Sequence, residues 1–421
     1  MNRGAKEIQG SAARRSALRL LDAVLRRGET LDQATGTATS GLLTSSDAAL
    51  ARAIAGEVLR WLADLDALID SATRQNLADD TKARTVLRMM LAQWLRLETP
   101  PHAVIATALP LLAGGPRRLA HGVFSTLVKQ EAKLPAAPTL PATVAARWGE
   151  RAGAIAAGLA EPPPLDLSLR DPATTAEWAE RLGGVSLMSG HVRLPRGTAV
   201  TELPGFGEGA WWVQDLAASL PARLLGAGAK DSGKQRPVLD LCAAPGGKTL
   251  QLAAAGWRVT ALDVSGKRLK LLRESLARTG LAAEVLVADA LEWEPPEPFD
   301  AIVLDAPCTA TGTARRHPEV LHRIGERQIA EMVEQQAALL ERASGWLKPG
   351  GRLVYAVCSL ERAEGEDHMA RVALTPDPIR PEELPEWLSP TPEGRLRTDP
   401  GMLPEHGGMD GFFIARFVNK A

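Results

Sequence analysis

From about residue 236 onward the chain repeats a unit of short apolar run, loop and helical stretch, and this rhythm constrains the fold more than any other feature. Strands alternating with helices predict a parallel sheet joined by right-handed crossovers. The runs are Val238-Leu239-Asp240-Leu241, Val259-Thr260-Ala261-Leu262, Glu284-Val285-Leu286-Val287, Ala301-Ile302-Val303-Leu304 and Arg352-Leu353-Val354-Tyr355-Ala356-Val357. In such a sheet the carboxyl ends of the strands open on one face, and ligands bind in the crevice there. The residues just past those ends are therefore the candidate site.

After the first run comes a glycine-bearing turn, Cys242-Ala243-Ala244-Pro245-Gly246-Gly247-Lys248-Thr249. Such a turn sets backbone N–H groups and a helix N-terminus against a carboxylate or phosphate. It is neither Gly-x-Gly-x-x-Gly nor a P-loop, since Cys242 stands where the first Gly of a P-loop belongs, and ATP binding is disfavoured. The second run ends in Asp263, placed to accept from ribose hydroxyls, and the third in Asp289, which can meet an adenine amino group. Taken singly, each Asp reads more readily as a helix cap. Together with Asp305 they form three acids at successive strand ends after one glycine turn, which capping does not explain.

The fourth run leads into Asp305-Ala306-Pro307-Cys308 and the fifth into Cys358-Ser359. If those strands are neighbours, about 4.8 Å apart, both thiols and Asp305 can surround one small planar group. Cys242, Cys308 and Cys358 are the only cysteines, with no Cys-x-x-Cys spacing and no His cluster. That excludes a disulfide framework and disfavours zinc, so no metal is expected. Cys242 reads as a buried small hydrophobe.

A chain of 421 residues is too long for one ordinary core. Its front has helical periodicity: Leu18, Leu21 and Leu25; then Leu50, Ile54, Val58, Leu62 and Leu65; then Val86, Met90, Trp94 and Leu97. Ser46 or Asp47 can cap the second stripe, and Thr99-Pro100-Pro101 halts the third. Residues 1–135 hold 18 Lys/Arg against 13 Asp/Glu in a chain of net charge −1, a distribution compatible with a polyanion partner. Prolines 135, 138 and 141 and Glu161-Pro162-Pro163-Pro164 mark a linker. A small α+β module follows, ending in Trp211-Trp212-Val213, a pair able to stack a base or to anchor a junction. With no apolar stretch of about 18 residues, and a start bearing Arg3, Lys6, Arg14, Arg15 and Arg19 without a signal-type apolar segment, a soluble cytoplasmic monomer is expected.

Ala13-Arg14-Arg15-Ser16-Ala17-Leu18, Arg52 to Arg60 and Pro101-His102-Ala103-Val104 resemble the RNA-binding antitermination domain of NusB type. His121-Gly122-Val123-Phe124-Ser125 departs from that pattern, and a helical adaptor without RNA contacts is the plainer alternative. Nearly the whole chain resembles the Sun/Fmu family of S-adenosylmethionine-dependent RNA cytosine-5 methyltransferases. The resemblance lies in Gln214 to Ser219, Asp240 to Thr249, Asp305 to Cys308, Arg315-Arg316-His317-Pro318-Glu319, Tyr355 to Leu360 and Asp410-Gly411-Phe412-Phe413. Thr309 and Ala310 replace the family's Ser and Gly, Val357 its Thr, and His317 its Asn.

The resemblance implies a multidomain chain: a NusB-like all-α domain over 1–135, a Pro-rich linker with helix over 136–164, an α+β RNA-recognition module over 165–212, and an α/β Rossmann-like methyltransferase domain over 213–421. It implies S-adenosylmethionine held by Cys242, Ala243, Ala244, Pro245, Gly246, Gly247, Lys248, Asp263, Asp289 and Asp305. Cys358 would attack cytosine carbon 6, Cys308 would help remove the carbon 5 proton, and Asp305 would sit near ring N3. The two thiols could exchange roles, since DNA cytosine-5 methyltransferases use the Pro-Cys cysteine; the Tyr-x-x-Cys-Ser run favours Cys358. Arg14, Arg15, Arg315 and Arg316 would contact RNA, and the substrate would be 16S rRNA, unassembled or partly assembled. A tRNA enzyme and a non-catalytic ribosome-assembly or antitermination factor are the alternatives.

Overall fold

The computed structural model describes residues 10–42, 44–228 and 235–420, so that Arg3 and Lys6 lie outside the described residues. The chain divides into two compact units, Met1–Ala160 with Arg316–Arg323, and Glu161–Arg315 with Ile324–Ala421. The first is helical: Ser11–Arg27, Leu31–Ala38, Ser45–Arg60, Leu62–Ser71, Lys82–Leu95, Pro101–Ala108 and Gly114–Lys129 lead it. Its stripes meet in one core, where Leu18, Leu21, Ile54, Val58, Leu65, Val86 and Met90 are buried. The long second stripe is two helices, broken at the buried Trp61. The cap of the first of these is Thr44 rather than Ser46 or Asp47; its hydroxyl accepts the Asp47 N–H at 3.1 Å.

Two later stretches belong to this helical unit. Residues 136–160, expected in the linker, carry helices Ala142–Trp148 and Ala152–Leu159. Thr139 donates to Asp64 from its N–H (2.9 Å) and its hydroxyl (2.6 Å). Arg60 and Arg96 donate to the carbonyls of Leu159 and Ala160 at 2.7 and 3.0 Å, satisfying acceptors at a helix C-terminus. The second stretch, Arg316–Arg323, lies within the sequence of the expected catalytic domain. Glu319 accepts the Leu31 N–H at 3.0 Å at the start of a helix, where a negative charge is favoured. His322 donates to the Leu59 carbonyl and Arg323 to that of Gly28, both at 2.7 Å. No helix among the described residues is long and apolar enough to cross a membrane.

The second unit opens with β1 (Leu165–Leu169), β2 (His191–Leu194) and β3 (Trp211–Val213), an antiparallel sheet of order β2-β1-β3. At its centre Asp166 is buried and accepts from Arg193 (2.7 and 2.9 Å), His191 (3.1 Å) and the Leu216 N–H (3.0 Å). Trp211 and Trp212 are buried in two different clusters. The base-stacking reading of this pair is therefore corrected: its rings are spent on packing.

The large sheet consists of β4 (Pro237–Leu241), β5 (Arg258–Asp263), β6 (Glu284–Val287), β7 (Phe299–Asp305), β8 (Leu347–Val357), β9 (Thr375–Pro376), β10 (Leu396–Thr398) and β11 (Phe412–Val418). Its order is β10-β11-β8-β7-β4-β5-β6, with β9 beside β11; β4 to β8 run parallel and β11 runs against β8. Side chains alternate between two cores. Val238, Ala301, Val303 and Val354 pack on one face, and Leu239, Ile302, Leu304, Leu353 and Tyr355 on the other. Burial on both faces is why these strands read as continuous apolar runs. The chain moves outward from β4 through β5 to β6, then returns to β7 on the other side of β4. Order reverses there, which opens a crevice at the strands' carboxyl ends.

Candidate active site

The turn after β4 requires glycine at its corner. Gly246 has φ +115°, and a Cβ there would stand 2.4 Å from Leu272 Cδ1. It opens the helix Gly247–Ala254. Asp263 at the end of β5 fixes this turn from the side, accepting the Ala244 N–H at 3.0 Å and the Ser265 N–H at 2.8 Å. Asp289 is exposed and accepts the Leu291 N–H at 2.9 Å.

A cleft of about 430 Å³ runs across these strand ends and brings together Cys242, Ala244, Asp263, Asp289, Asp305, Cys308 and Cys358. Val264, Arg268, Leu291, Gln335 and Leu339 also line it and were not singled out from the sequence. Ala243, Pro245, Gly246, Gly247 and Lys248 complete the turn and the helix start without lining the cleft. Cys242 is partly buried and forms part of the cleft wall. Burial, then the charges of Asp263, Asp305 and Asp240, push its pKa up, so it stays an unreactive thiol.

Because β7 and β8 are adjacent and Asp305 pairs with Ala356, the residues just beyond meet: Cys308 Sγ lies 3.4 Å from Cys358 Sγ. Lys248 Nζ donates to Asp305 Oδ2 at 2.7 Å and lies 5.4 Å from the Phe412 ring. Burial opposes the ammonium, but Asp305, Asp240 and a thiolate at Cys358 outweigh it, and the Lys248 pKa is raised. Cys308 is raised well above the ordinary thiol. The hydrogen bond with Cys358 contributes most, burial next and the Cys358 and Glu364 charges after it, while the Ala310 N–H works the other way. The loops are closed by backbone. Gly312 donates to the Cys358 carbonyl at 3.0 Å, and Gly411 to the Gly312 carbonyl at 2.8 Å. A Cβ on Gly312 would stand 2.0 Å from that glycine's carbonyl oxygen.

Residues 230–418 match the family model described as 16S rRNA methyltransferase RsmB/F, and residues 11–113 match that of the NusB family. A Xylella fastidiosa protein named ribosomal RNA small subunit methyltransferase B is 34% identical over 434 residues, which cover 97% of this chain and 98% of that protein. The chain belongs to the small-subunit methyltransferase B family. A Klebsiella pneumoniae relative of the same name is 32% identical over 440 residues, covering 96% of this chain and 97% of its own. The crystal structure of PH0851 shares the fold, with a TM-score of 0.72 at 22% identity over 97% of this chain and 98% of that one.

Among the features of this methyltransferase B chain, its departures from the related pattern fall in different places. Val357 is fully buried, on the core face of β8, and does not line the cleft. Thr309 keeps a hydroxyl, which donates to Glu364. Ala310 does line the cleft, with φ +56°. His317 lies 3.7 Å from Glu319 and 4.0 Å from Asp32; burial opposes its charge, yet these acids raise its pKa. Two of the arginines expected on RNA are corrected. Arg315 is 1% exposed, donates to the Gly407 carbonyl and lies 3.7 Å from Asp410. Arg14 is 7% exposed and donates to Gln93 at 2.7 Å and to Gly10 at 3.2 Å. Both guanidinium groups serve the interior. Arg15 is exposed and Arg316 partly so.

Proposed function

We propose that the protein methylates carbon 5 of a cytosine in small-subunit ribosomal RNA, with S-adenosylmethionine as donor and Cys358 as covalent nucleophile. The observation that carries this reading is the pair of sulfurs 3.4 Å apart, opening on the same cleft as three strand-end acids. The cleft fits the donor. Its volume is in the range of small-molecule sites, Asp263 and Asp289 offer acceptors to hydroxyl and amino groups, and Val264, 71% exposed, and Leu291, 41% exposed, are apolar rims for a flat ring to cover. When bound there, S-adenosylmethionine supplies an electrophilic methyl group.

Carbon 5 of cytosine is a poor nucleophile until a thiolate adds to carbon 6 and turns the ring into an enamine. Cys358 makes that bond. Asp305, hydrogen-bonded to Lys248, stands near ring N3, and the pair offsets the charge that gathers there. Once Cys358 is bonded to carbon 6 the hydrogen bond and charge that kept Cys308 protonated are gone. Cys308 gives its proton to water, accepts the carbon 5 proton, and the electron pair of that C–H bond expels the Cys358 sulfur so that the methylated base leaves. A paired cytosine must be unstacked to reach such a cleft, so a loop or unassembled region is the expected substrate.

The test is transfer of a tritiated methyl group to transcribed 16S rRNA and to tRNA, with the position read by bisulfite sequencing. Label is expected at a cytosine of 16S rRNA. Cys358→Ala should abolish both label and the denaturation-resistant RNA adduct, whereas Cys308→Ala should accumulate the adduct. Label on tRNA alone, or donor binding with no transfer to any RNA, would overturn the reading. An adduct that survives Cys358→Ala would exchange the roles of the thiols.

A further inference from the structure

We infer that Glu364 is a positioning residue of the two-thiol site, holding the Cys308 and Cys358 loops in register and giving the two sulfurs different work. The inference rests on Cys358 being the nucleophile. Glu364 is fully buried, and no ion pair among the described residues involves it. A carboxylate in that situation is costly unless hydrogen bonds surround it.

Four donors do so. They are the Thr309 N–H at 2.9 Å, the Thr309 hydroxyl, the Ser359 hydroxyl and Gln336 Nε2 at 3.0 Å. Thr309 follows Cys308 and Ser359 follows Cys358, so one carboxylate ties the residue after each thiol. Gln336 extends the tie by donating to the Pro307 carbonyl at 2.8 Å, and His368 donates to Gln336 at 2.9 Å. Tyr355, on β8, donates to the Glu364 carbonyl at 2.7 Å. The neighbourhood is otherwise apolar core, where Tyr355, Leu339 and Met369 are buried. Packing alone would be met by a hydrophobic side chain here.

The charge sorts the thiols. The Glu364 carboxylate adds to the Cys358 hydrogen bond and to burial in keeping Cys308 protonated. A protonated Cys308 can donate to the Cys358 sulfur across the 3.4 Å contact. Glu364 does not touch the base; it acts through the two loops.

The test titrates Cys308 in the full chain without RNA or donor, by the pH dependence of iodoacetamide alkylation with peptide mapping. Its outcome is thus independent of which RNA, if any, is methylated. In Cys358→Ala the Cys308 midpoint should lie above the ordinary thiol value of about 8.5. Adding Glu364→Gln should lower that midpoint by about one pH unit or more. Ser359→Ala, which removes a tie and keeps the charge, should leave the midpoint in place. In the otherwise native chain Glu364→Gln should reduce kcat by about tenfold or more with KM for the donor unchanged. A Cys308 midpoint at or below the ordinary value in Cys358→Ala overturns the inference, and that measurement needs no Glu364 variant to fold. So does a midpoint unmoved by Glu364→Gln, which would leave Glu364 a merely structural acid.

Discussion

Ala310 carries a side chain where the backbone favours none. Its φ of +56° lies in the left-handed region, and it lines the cleft beside Cys308. A left-handed alanine costs roughly 1–2 kcal/mol, partly offset because glycine gives the unfolded chain more freedom. Ala310→Gly should therefore stabilise the chain by about 1 kcal/mol or less and raise its thermal midpoint with methyl transfer retained; a lower midpoint would contradict this geometry. Asp240 stores a larger penalty. It is fully buried, one carboxylate oxygen takes the Thr249 hydroxyl, and burial pushes its pKa up to about 7 against the pull of that bond and of Lys248. The folded chain thus holds a proton that the unfolded chain has lost between pH ~4 and ~7. Through that window this residue makes stability fall with rising pH, by up to ~1.4 kcal/mol per unit, and above it the loss is constant. Asp240→Asn should gain stability over the parent at pH 8 relative to pH 5 in urea denaturation. An equal difference at both pH values would place the carboxyl in the ordinary range.

At the scale of elements, the strand ends were legible in the sequence because two rules coincide there. Apolar runs fix the strands, and parallel packing sends all their carboxyl ends to one face. Asp263, Asp289, Asp305, Cys308 and Cys358 follow from those rules, and the structure gathers them around one cleft. What depends on partners far along the chain was not legible. Leu165 to Arg170 alternates as a strand should, yet nothing nearby shows that Asp166 faces inward onto Arg193, His191 and the Leu216 N–H. Arg315 looks like an RNA-binding arginine until Gly407 and Asp410 arrive beside it. Glu364 sits in a run of charged residues that reads as surface, and only the fold reveals its four donors. Burial raises the Asp166 pKa, but the Arg193 and His191 bonds outweigh it, and its carboxyl is held below the usual range. Its contribution is therefore present above pH ~4 and is lost as pH falls below that. Asp166→Asn should cost about 3–5 kcal/mol in urea denaturation at pH 7, because a buried guanidinium loses its counter-charge. A loss under about 1 kcal/mol would mean that water already reaches this cluster.

For the molecule as a whole, the helical unit is not one continuous segment, and no sequence pattern announced this. Arg316–Arg323 begins as Arg-His-Pro-Glu, a polar string that suggests a loop on RNA, but the structure assigns it to the helical unit. There Glu319 serves a helix start, His322 reaches the Leu59 carbonyl 263 positions away in sequence, and Val320 and Leu321 are buried. A cut after residue 160 therefore does not separate the units cleanly, since the fragment 161–421 keeps this segment without the helices to which Glu319, His322 and Arg323 are hydrogen-bonded. Each uncovered Val or Leu forfeits about 1.5–3 kcal/mol of burial and leaves an apolar patch that favours association. The fragment should self-associate in light scattering, and the double substitution Val320→Ser with Leu321→Ser should return it to a monomer. In the intact chain the same substitutions should destabilise, because both side chains are then buried. Opposite signs in the two settings are what distinguish a docked segment from a surface loop. A fragment that is monomeric with Val320 and Leu321 in place would mean that the segment finds cover elsewhere in its own unit.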